Sequence, residues 1–122
     1  MKDAKLIKSP FVLYGIPNCD TVKKARAWLE AAALPYRFHD YKKAGIDTQT
    51  LQIWCDEFGY EQVLNKKGTT WRQLDAALCK DLDQDKVIKL MQQFTSLIKR
   101  PILDTGARRL LGFNQGGYQS LL

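Results

Sequence analysis

The sequence predicts an α/β protein: a four-stranded mixed sheet layered by helices and interrupted by an all-helical insertion at about 45–95. Three observations carry that expectation. An apolar run at 11–16, an amphipathic repeat at 21–33 and an alternating run at 36–41 follow one another through short connections. This is the pattern of a βαβ unit, with parallel strands and a right-handed crossover. The insertion carries helical spacing throughout. Beyond it, the runs 96–103 and 107–113 flank "DTG", a hairpin turn by composition, which makes the sheet mixed rather than all parallel.

The elements follow in order. "FVLYGI" is short, apolar and closed by Gly15 and Pro17, as expected of a strand buried on both faces. From Thr21 to Ala33, Val22, Ala25, Leu29, Ala32 and Ala33 form a stripe, with Lys23, Lys24, Arg26 and Glu30 mostly off it, so a helix is expected there. Pro35 blocks its continuation, and "YRFHDY" alternates Tyr36 and Phe38 against Arg37 and His39 as a second strand. Within the insertion, Leu51, Trp54, Cys55 and Phe58 define a helix begun by Asp47 and stopped by Gly59. Thr70 and Gln73 have the spacing of a capping box for another helix. Val87, Leu90, Met91 and Phe94 mark a third, with Asp83 and Asp85 as cap candidates. A last short helix is expected from about Gln115.

At 122 residues the whole chain, 1–122, matches a single domain large enough for a continuous core without staples. No apolar run approaches the roughly 20 residues that span a bilayer. The opening "MKDAKLIKSP" lacks the apolar stretch and cleavage site of a secretory signal and reads as a short flexible leader. A cytoplasmic location is therefore expected, with reduced thiols. Three cysteines and one histidine provide neither a disulfide framework nor a convincing set of soft metal ligands, so no metal is expected. The net charge of +6 is distributed in small clusters and fits solubility or attraction of anions, with no nucleic-acid signature beside it.

The stretch "PNCDTVKK", 17–24, concentrates the chemistry. Cys19 falls where a buried strand gives way to a helix, at the cap or in the first turn, where backbone N–H groups lack intrahelical acceptors. An anion there gains on the order of 0.3–1 kcal/mol, and a thiolate is such an anion. Lys23 and Lys24 oppose the helix's own dipole, which is intelligible if they stabilise or receive a negative group. Asn18 is expected to cap the helix or orient the loop, and Thr21 to donate toward sulfur. Arg100, restricted to extended geometry by the proline after it, can project from a strand end, and its planar fork suits a carboxylate or oxyanion. Strand alternation lets one of Arg108 and Arg109 point inward, without choosing which. Cys55, Cys79, His39 and the three tryptophans read as structural.

"YGIPNCDTVKKARAWLE", "NKKGTTWRQL", "LIKRPILD" and "RRLLGF" together resemble the ArsC-like group of thioredoxin-fold proteins over about residues 11–120, closest to the YffB type. The group contains arsenate reductases, Spx regulators and YffB-type reductases. The resemblance implies a thioredoxin-like core, Cys19 as redox nucleophile and Arg100–Pro101 beside it, with a cis bond between them. It further implies glutathione as co-substrate, with no bound cofactor, and glutaredoxin as a possible protein partner.

Two departures from the group's pattern stand out. Val22 occupies the place of the second cysteine of Spx proteins, so an external thiol has to resolve any disulfide formed at Cys19. Asn65, followed by Lys66 and Lys67, stands where arsenate reductases carry an arginine; Lys67 is the nearest substitute, without the bidentate fork. The activity expected is a monomeric, glutathione-dependent thiol–disulfide reductase. Arsenate reduction is the alternative within the group, and an Spx-like regulator that binds RNA polymerase is the alternative of another class.

Overall fold

The computed structural model describes residues 11–122; the expected leader lies outside them. The sheet contains β1 (Phe11–Gly15), β2 (Tyr36–Asp40), β3 (Ile102–Asp104) and β4 (Arg109–Leu111) in the order β2-β1-β3-β4. β1 and β2 run parallel, while β1/β3 and β3/β4 are antiparallel. This is the mixed α/β sheet expected of the sequence, with a thioredoxin-like arrangement.

The chain forms two compact units. The described part of one is 11–40 with Arg100–Leu122, and the other is Tyr41–Lys99. The helical segment is thus wider than the 45–95 expected. Tyr41 closes no strand: it opens α2 (Tyr41–Ala44), is fully buried and donates its hydroxyl to the Ile98 carbonyl at 3.3 Å, tying the unit's start to its end.

In the sheet unit, register explains the core. Phe11, Leu13, Tyr36, Phe38, Leu103 and Leu110 fall on one face through the pairings Phe11↔Tyr36, Leu13↔Phe38, Leu13↔Leu103 and Leu103↔Leu110. They pack with Ala25 and Leu29 of α1 (Asp20–Ala31) and with Tyr118 of α7 (Gln115–Gln119). Trp28 and Phe113 meet the Tyr118 ring edge-on at centroid distances of 5.4 and 4.7 Å. The opposite face presents Val12, Tyr14, Arg37 and His39, none fully buried, so β1 is not sealed on both sides as its composition suggested. There His39 lies against its register partner Tyr14, ring centroids 5.0 Å apart.

α1 ends earlier than its apolar stripe. Ala32 is the C-cap and Ala33 adopts φ 58, a left-handed turn before Pro35. Its outer side is fastened to β2: Arg26 donates to the Tyr36 hydroxyl at 3.0 Å and lies 4.4 Å from the Phe38 ring centre, while Tyr36 donates to Glu30 at 2.7 Å. Partial burial and the Glu30 carboxylate raise the Tyr36 phenol above its ordinary range.

In the helical unit, α3 (Thr48–Phe58) and α6 (Gln84–Gln93) pack on each other through Leu51, Trp54, Cys55, Val87, Ile88, Leu90 and Met91, all buried. Asp47 and Asp83 cap them as expected, each accepting a backbone N–H at 2.8 Å, and Gly59 ends α3 at φ 86. The expected capping box does not form. Gly68 is the N-cap of the short α5 (Thr69–Gln73), and Thr70 shares a 2.6 Å hydrogen bond with Ser96 instead. The rest of that expected helix is a 3-10 turn, Ala76–Cys79, capped by Asp75. Between α3 and α5, Tyr60–Val63 forms the short α4. The strand expected over 96–103 begins only at Ile102, because Thr95–Leu97 is a 3-10 turn and Ile98 makes just an isolated bridge to Leu64.

The approach of α1 to β1 is set by Gly15. A Cβ there would stand 2.8 Å from Val22 Cγ2, and Val22 is fully buried. Gly15→Ala is expected to cost about 1–3 kcal/mol in chemical denaturation. Val22→Ala in the same chain is expected to recover part of that loss, read as a positive coupling in a double-mutant cycle.

Burial also predicts an alkaline weakness. The Cys55 thiol, 2% exposed, is pushed up to about 11 by desolvation and then by Asp56. The Tyr118 phenol, buried with no hydrogen-bond partner among the described residues, is pushed well above its ordinary range by desolvation. Both pKa values are raised on folding, so the folded state keeps protons that the unfolded chain loses. Their contribution is complete below the ordinary thiol range and declines through about pH 11 for Cys55, with Tyr118 adding from about pH 10 upward. Unfolding free energies from urea titrations are expected to fall over this range by up to about 1.4 kcal/mol per pH unit per group. Cys55→Ala is expected to flatten the first part of the decline, and Tyr118→Phe the second.

Candidate active site

Cys19 is reached by a four-residue loop leaving β1 and is itself the N-cap of α1, with extended φ −145 and ψ 124. Its carbonyl accepts the first helical bond, from Lys23 N at 2.9 Å, whereas its side chain makes no capping hydrogen bond. The thiol is partly exposed and forms no disulfide. The cap position of a 12-residue helix is therefore filled by a weakly bonding sulfur instead of a hydroxyl or carboxylate. An ionised sulfur there faces the positive end of the helix dipole.

The surrounding residues differ from expectation in detail. Because the helix starts at Asp20, its first turn carries an acid, and Lys23 and Lys24 begin the second turn, both exposed. Asn18 is exposed and precedes the cap, so it does not cap the helix; Thr21 lies half-buried in the first turn. Val22, three residues after Cys19, is packed into the core against Gly15. That position offers no exposed group to Cys19.

Register brings Arg100 to this end of the sheet. β3 begins beside the end of β1, Ile102 pairing with Tyr14, so Arg100 and Pro101 enter the sheet where the Cys19 loop leaves it. The Arg100–Pro101 peptide is cis and Pro101 is buried. Arg100 is half-buried, with its Nε shielded from solvent. The Pro101 carbonyl accepts from Gly112 N at 2.8 Å. Gly112, at φ 73, follows β4 and adds its backbone to the same edge. The glycine after "RRLL" was the available signal for this contribution, which sequence reasoning missed.

Arg108 and Arg109 are placed elsewhere, a correction to their expected role in substrate binding. Arg109 is level with Asp104 and through it with Val12, three residues or about 10 Å back along β1 from Gly15. Both arginines therefore stand at the hairpin end of the sheet. Arg109 pairs with Asp104 at 3.4 Å, and Arg108 donates to Ser120 Oγ at 2.5 Å. Strand alternation alone could not have shown which end of the sheet they occupy.

Lys67 belongs to the helical unit. Asn65 Oδ1 accepts from Lys67 N at 3.1 Å, and the Lys67 carbonyl accepts from Arg72 at 3.0 Å. Cys55 is buried in that unit, and Cys79 ends the 3-10 turn, partly exposed. Among the described residues no group of three His, Cys, Asp or Glu side chains is placed to hold a metal, and no helix is long and apolar enough to cross a membrane.

A single cysteine at the cap of the helix after β1, with an arginine and a cis-proline opening β3, defines a thioredoxin-like architecture of distinctive type. A model of the ArsC family matches residues 14–121, and the chain belongs to that family. The solved structure of a YffB protein is 52% identical, with TM-score 0.88, covering 90% of this chain and 96% of its own. An arsenate reductase (ArsC) related protein from Brucella melitensis is 40% identical, with TM-score 0.72, covering 92% and 93%. Among curated relatives, the global transcriptional regulator Spx of Streptococcus pneumoniae is 25% identical over 112 residues, 90% of this chain and 84% of its own.

If Gly112 fixes the edge beside Pro101, Gly112→Ala is expected to strain the φ 73 turn and lower stability by about 1 kcal/mol in thermal or urea denaturation. Gly106→Ala, at φ 91 in the hairpin turn, provides a comparison of similar strain at the opposite end of the sheet. Of the two, only Gly112→Ala is expected to change the alkylation rate of Cys19.

Proposed function

We propose that this chain is a glutathione-dependent thiol–disulfide reductase acting through one thiolate, in the cytoplasm and as a monomer. The observation that carries the reading is Cys19 at the N-cap of α1, partly exposed and without a side-chain capping bond, while Val22 is buried three residues on. In the first step the Cys19 thiolate attacks one sulfur of a glutathione mixed disulfide. A Cys19–glutathione disulfide forms and the substrate leaves as its thiolate. A second glutathione thiolate then attacks the glutathione sulfur, giving oxidised glutathione and restoring the Cys19 thiolate. In sum, one mixed disulfide and one free glutathione thiolate give the substrate thiolate and oxidised glutathione, so one disulfide is exchanged for another and no outside oxidant or reductant is needed. Arg100 suits the peptide's carboxylates through its planar fork, with Lys23 and Lys24 as screening charges on α1.

Two other readings remain within the family. Arsenate reduction, with Cys19 attacking arsenic, is disfavoured by Asn65, a neutral side chain whose oxygen is occupied by Lys67 N. A regulatory role through RNA polymerase is favoured by the Spx relative and requires no turnover.

One assay compares wild type, Cys19→Ser and Arg100→Ala with a glutathione mixed disulfide and, separately, arsenate. Cys19→Ser is expected to fall to the uncatalysed background. Arg100→Ala is expected to keep the thiol reactive toward iodoacetamide while weakening glutathione use about 10- to 100-fold, the worth of one charge-assisted hydrogen bond. Equal turnover by wild type and Cys19→Ser would remove Cys19 from the chemistry. Recovery of RNA polymerase in a pull-down without turnover would favour the regulator.

A further inference from the structure

Between the buried residues Leu64 and Val87 the helical unit makes a long excursion over its surface. Residues 65–82 contain no fully buried side chain, and Leu78, the leucine of the 3-10 turn, is 36% exposed. Neither α5 nor that turn buries a residue. The hydrogen bonds inside the excursion are local: Leu74 N donates to Trp71 O at 3.2 Å, Leu78 N to Asp75 O at 2.9 Å and Arg72 to the Lys67 carbonyl at 3.0 Å. Its two roots are sealed instead, by Val63 and Leu64 on one side and Val87 and Ile88 on the other, all buried.

Side chains of the surrounding frame fasten it. The Tyr60 hydroxyl donates to Leu82 O at 3.3 Å, and Ser96 shares its 2.6 Å hydrogen bond with Thr70. Lys86 does more. A cation in the first turn of α6 opposes that helix's dipole, and its place becomes intelligible from what it reaches. Its backbone N–H is held by Asp83, while its ammonium turns back and donates to the carbonyls of Ala77, at 3.5 Å, and Lys80. These lie at the end of the 3-10 turn, where carbonyls lack intrahelical partners and a cation is favoured. The next residue, Asp81, is at φ 51, a left-handed conformation that a residue with a Cβ adopts at a cost. The charged fastening thus sits beside the strained residue.

We propose that residues 65–82 form a strap that opens as one unit while α3 and α6 stay folded, and that the Lys86 ammonium sets how often it opens. Local opening is governed by what it must expose. For α3 and α6 that is a buried apolar core; for the strap it is half-buried side chains and hydrogen bonds that water can replace. A hydrogen bond from a charged donor is about twice as strong as a neutral one, so Lys86 outweighs Tyr60 and Ser96. Closed, the strap is ordered around α5 and the 3-10 turn. Open, it is a loop that offers Lys66, Lys67, Arg72 and Lys80 to a protease. Chemistry that removes the charge of the Lys86 amine shifts the balance toward the open form.

The test is native-state amide hydrogen exchange of the full chain, read by mass spectrometry, with limited trypsin digestion as a second readout. Amides of 69–82 are expected to exchange at least about a hundredfold faster than those of α3 and α6, and trypsin to cut first after Arg72 or Lys80. Lys86→Gln is expected to raise both strap rates about 10- to 100-fold without changing exchange in α3, which separates strap opening from misfolding. Lys86→Arg, which keeps the charge, and Lys89→Gln, which removes one a turn further along α6, are expected to stay within about threefold of wild type. Exchange of 69–82 in step with α3 and α6 would overturn the strap. Equal rates in Lys86→Gln and Lys89→Gln, or in Lys86→Gln and Lys86→Arg, would overturn its fastening by the Lys86 charge. Cys19→Ser is expected to leave every rate unchanged, so this result stands or falls separately from the thiol chemistry.

Discussion

The absence of a side chain at Gly15 sets how closely the first helix approaches the first strand. With Val22 Cγ2 only 2.8 Å from where a Cβ would be, no larger residue fits without displacing the helix. The loop between them then has only four residues in which to turn from sheet to helix, and its last residue becomes the cap. Cys19 is consequently positioned by core packing on either side of it, with no capping bond from its side chain. The same contact explains why a hydrophobe suits position 22: a side chain there is part of the seal between the two elements.

Register extends this constraint across the sheet. Because β3 is antiparallel to β1 and starts level with Tyr14, the residues before it are delivered to the edge from which the Cys19 loop departs. The hairpin that follows carries Arg108 and Arg109 to the far edge, where one finds Asp104 and the other Ser120. Charge alone would make all three arginines equivalent. Strand direction separates them.

Much of this was legible from residue order. The βαβ start, the capped helices at Asp47 and Asp83 and the terminal hairpin follow from periodicity and punctuation, both local properties of the chain. The thiol's place at the cap could also be read, because it needs only a strand, a short loop and a helix. What failed depended on contacts distant in sequence. Thr70 looked like a cap but meets Ser96, 26 residues away. Tyr41 continued an alternating strand but turns into a helix whose hydroxyl partner is Ile98. The run 96–103 had strand composition, yet only its end finds a neighbour in the sheet. Arg108 and Arg109 were ambiguous because side-chain alternation specifies a face and leaves the position along the strand open.

The sheet unit is discontinuous in the chain, while the helical unit runs uninterrupted from Tyr41 to Lys99. On the ribosome, β1, α1 and β2 therefore emerge first, and the central strand β1 waits through the whole helical segment for its second neighbour. Cys19 is synthesised long before Arg100, which reaches the same end of the sheet. A nascent chain in that interval has the Cys19 thiol but lacks the strand that completes its surroundings, so the timing of translation separates a bare cysteine from one flanked by β3.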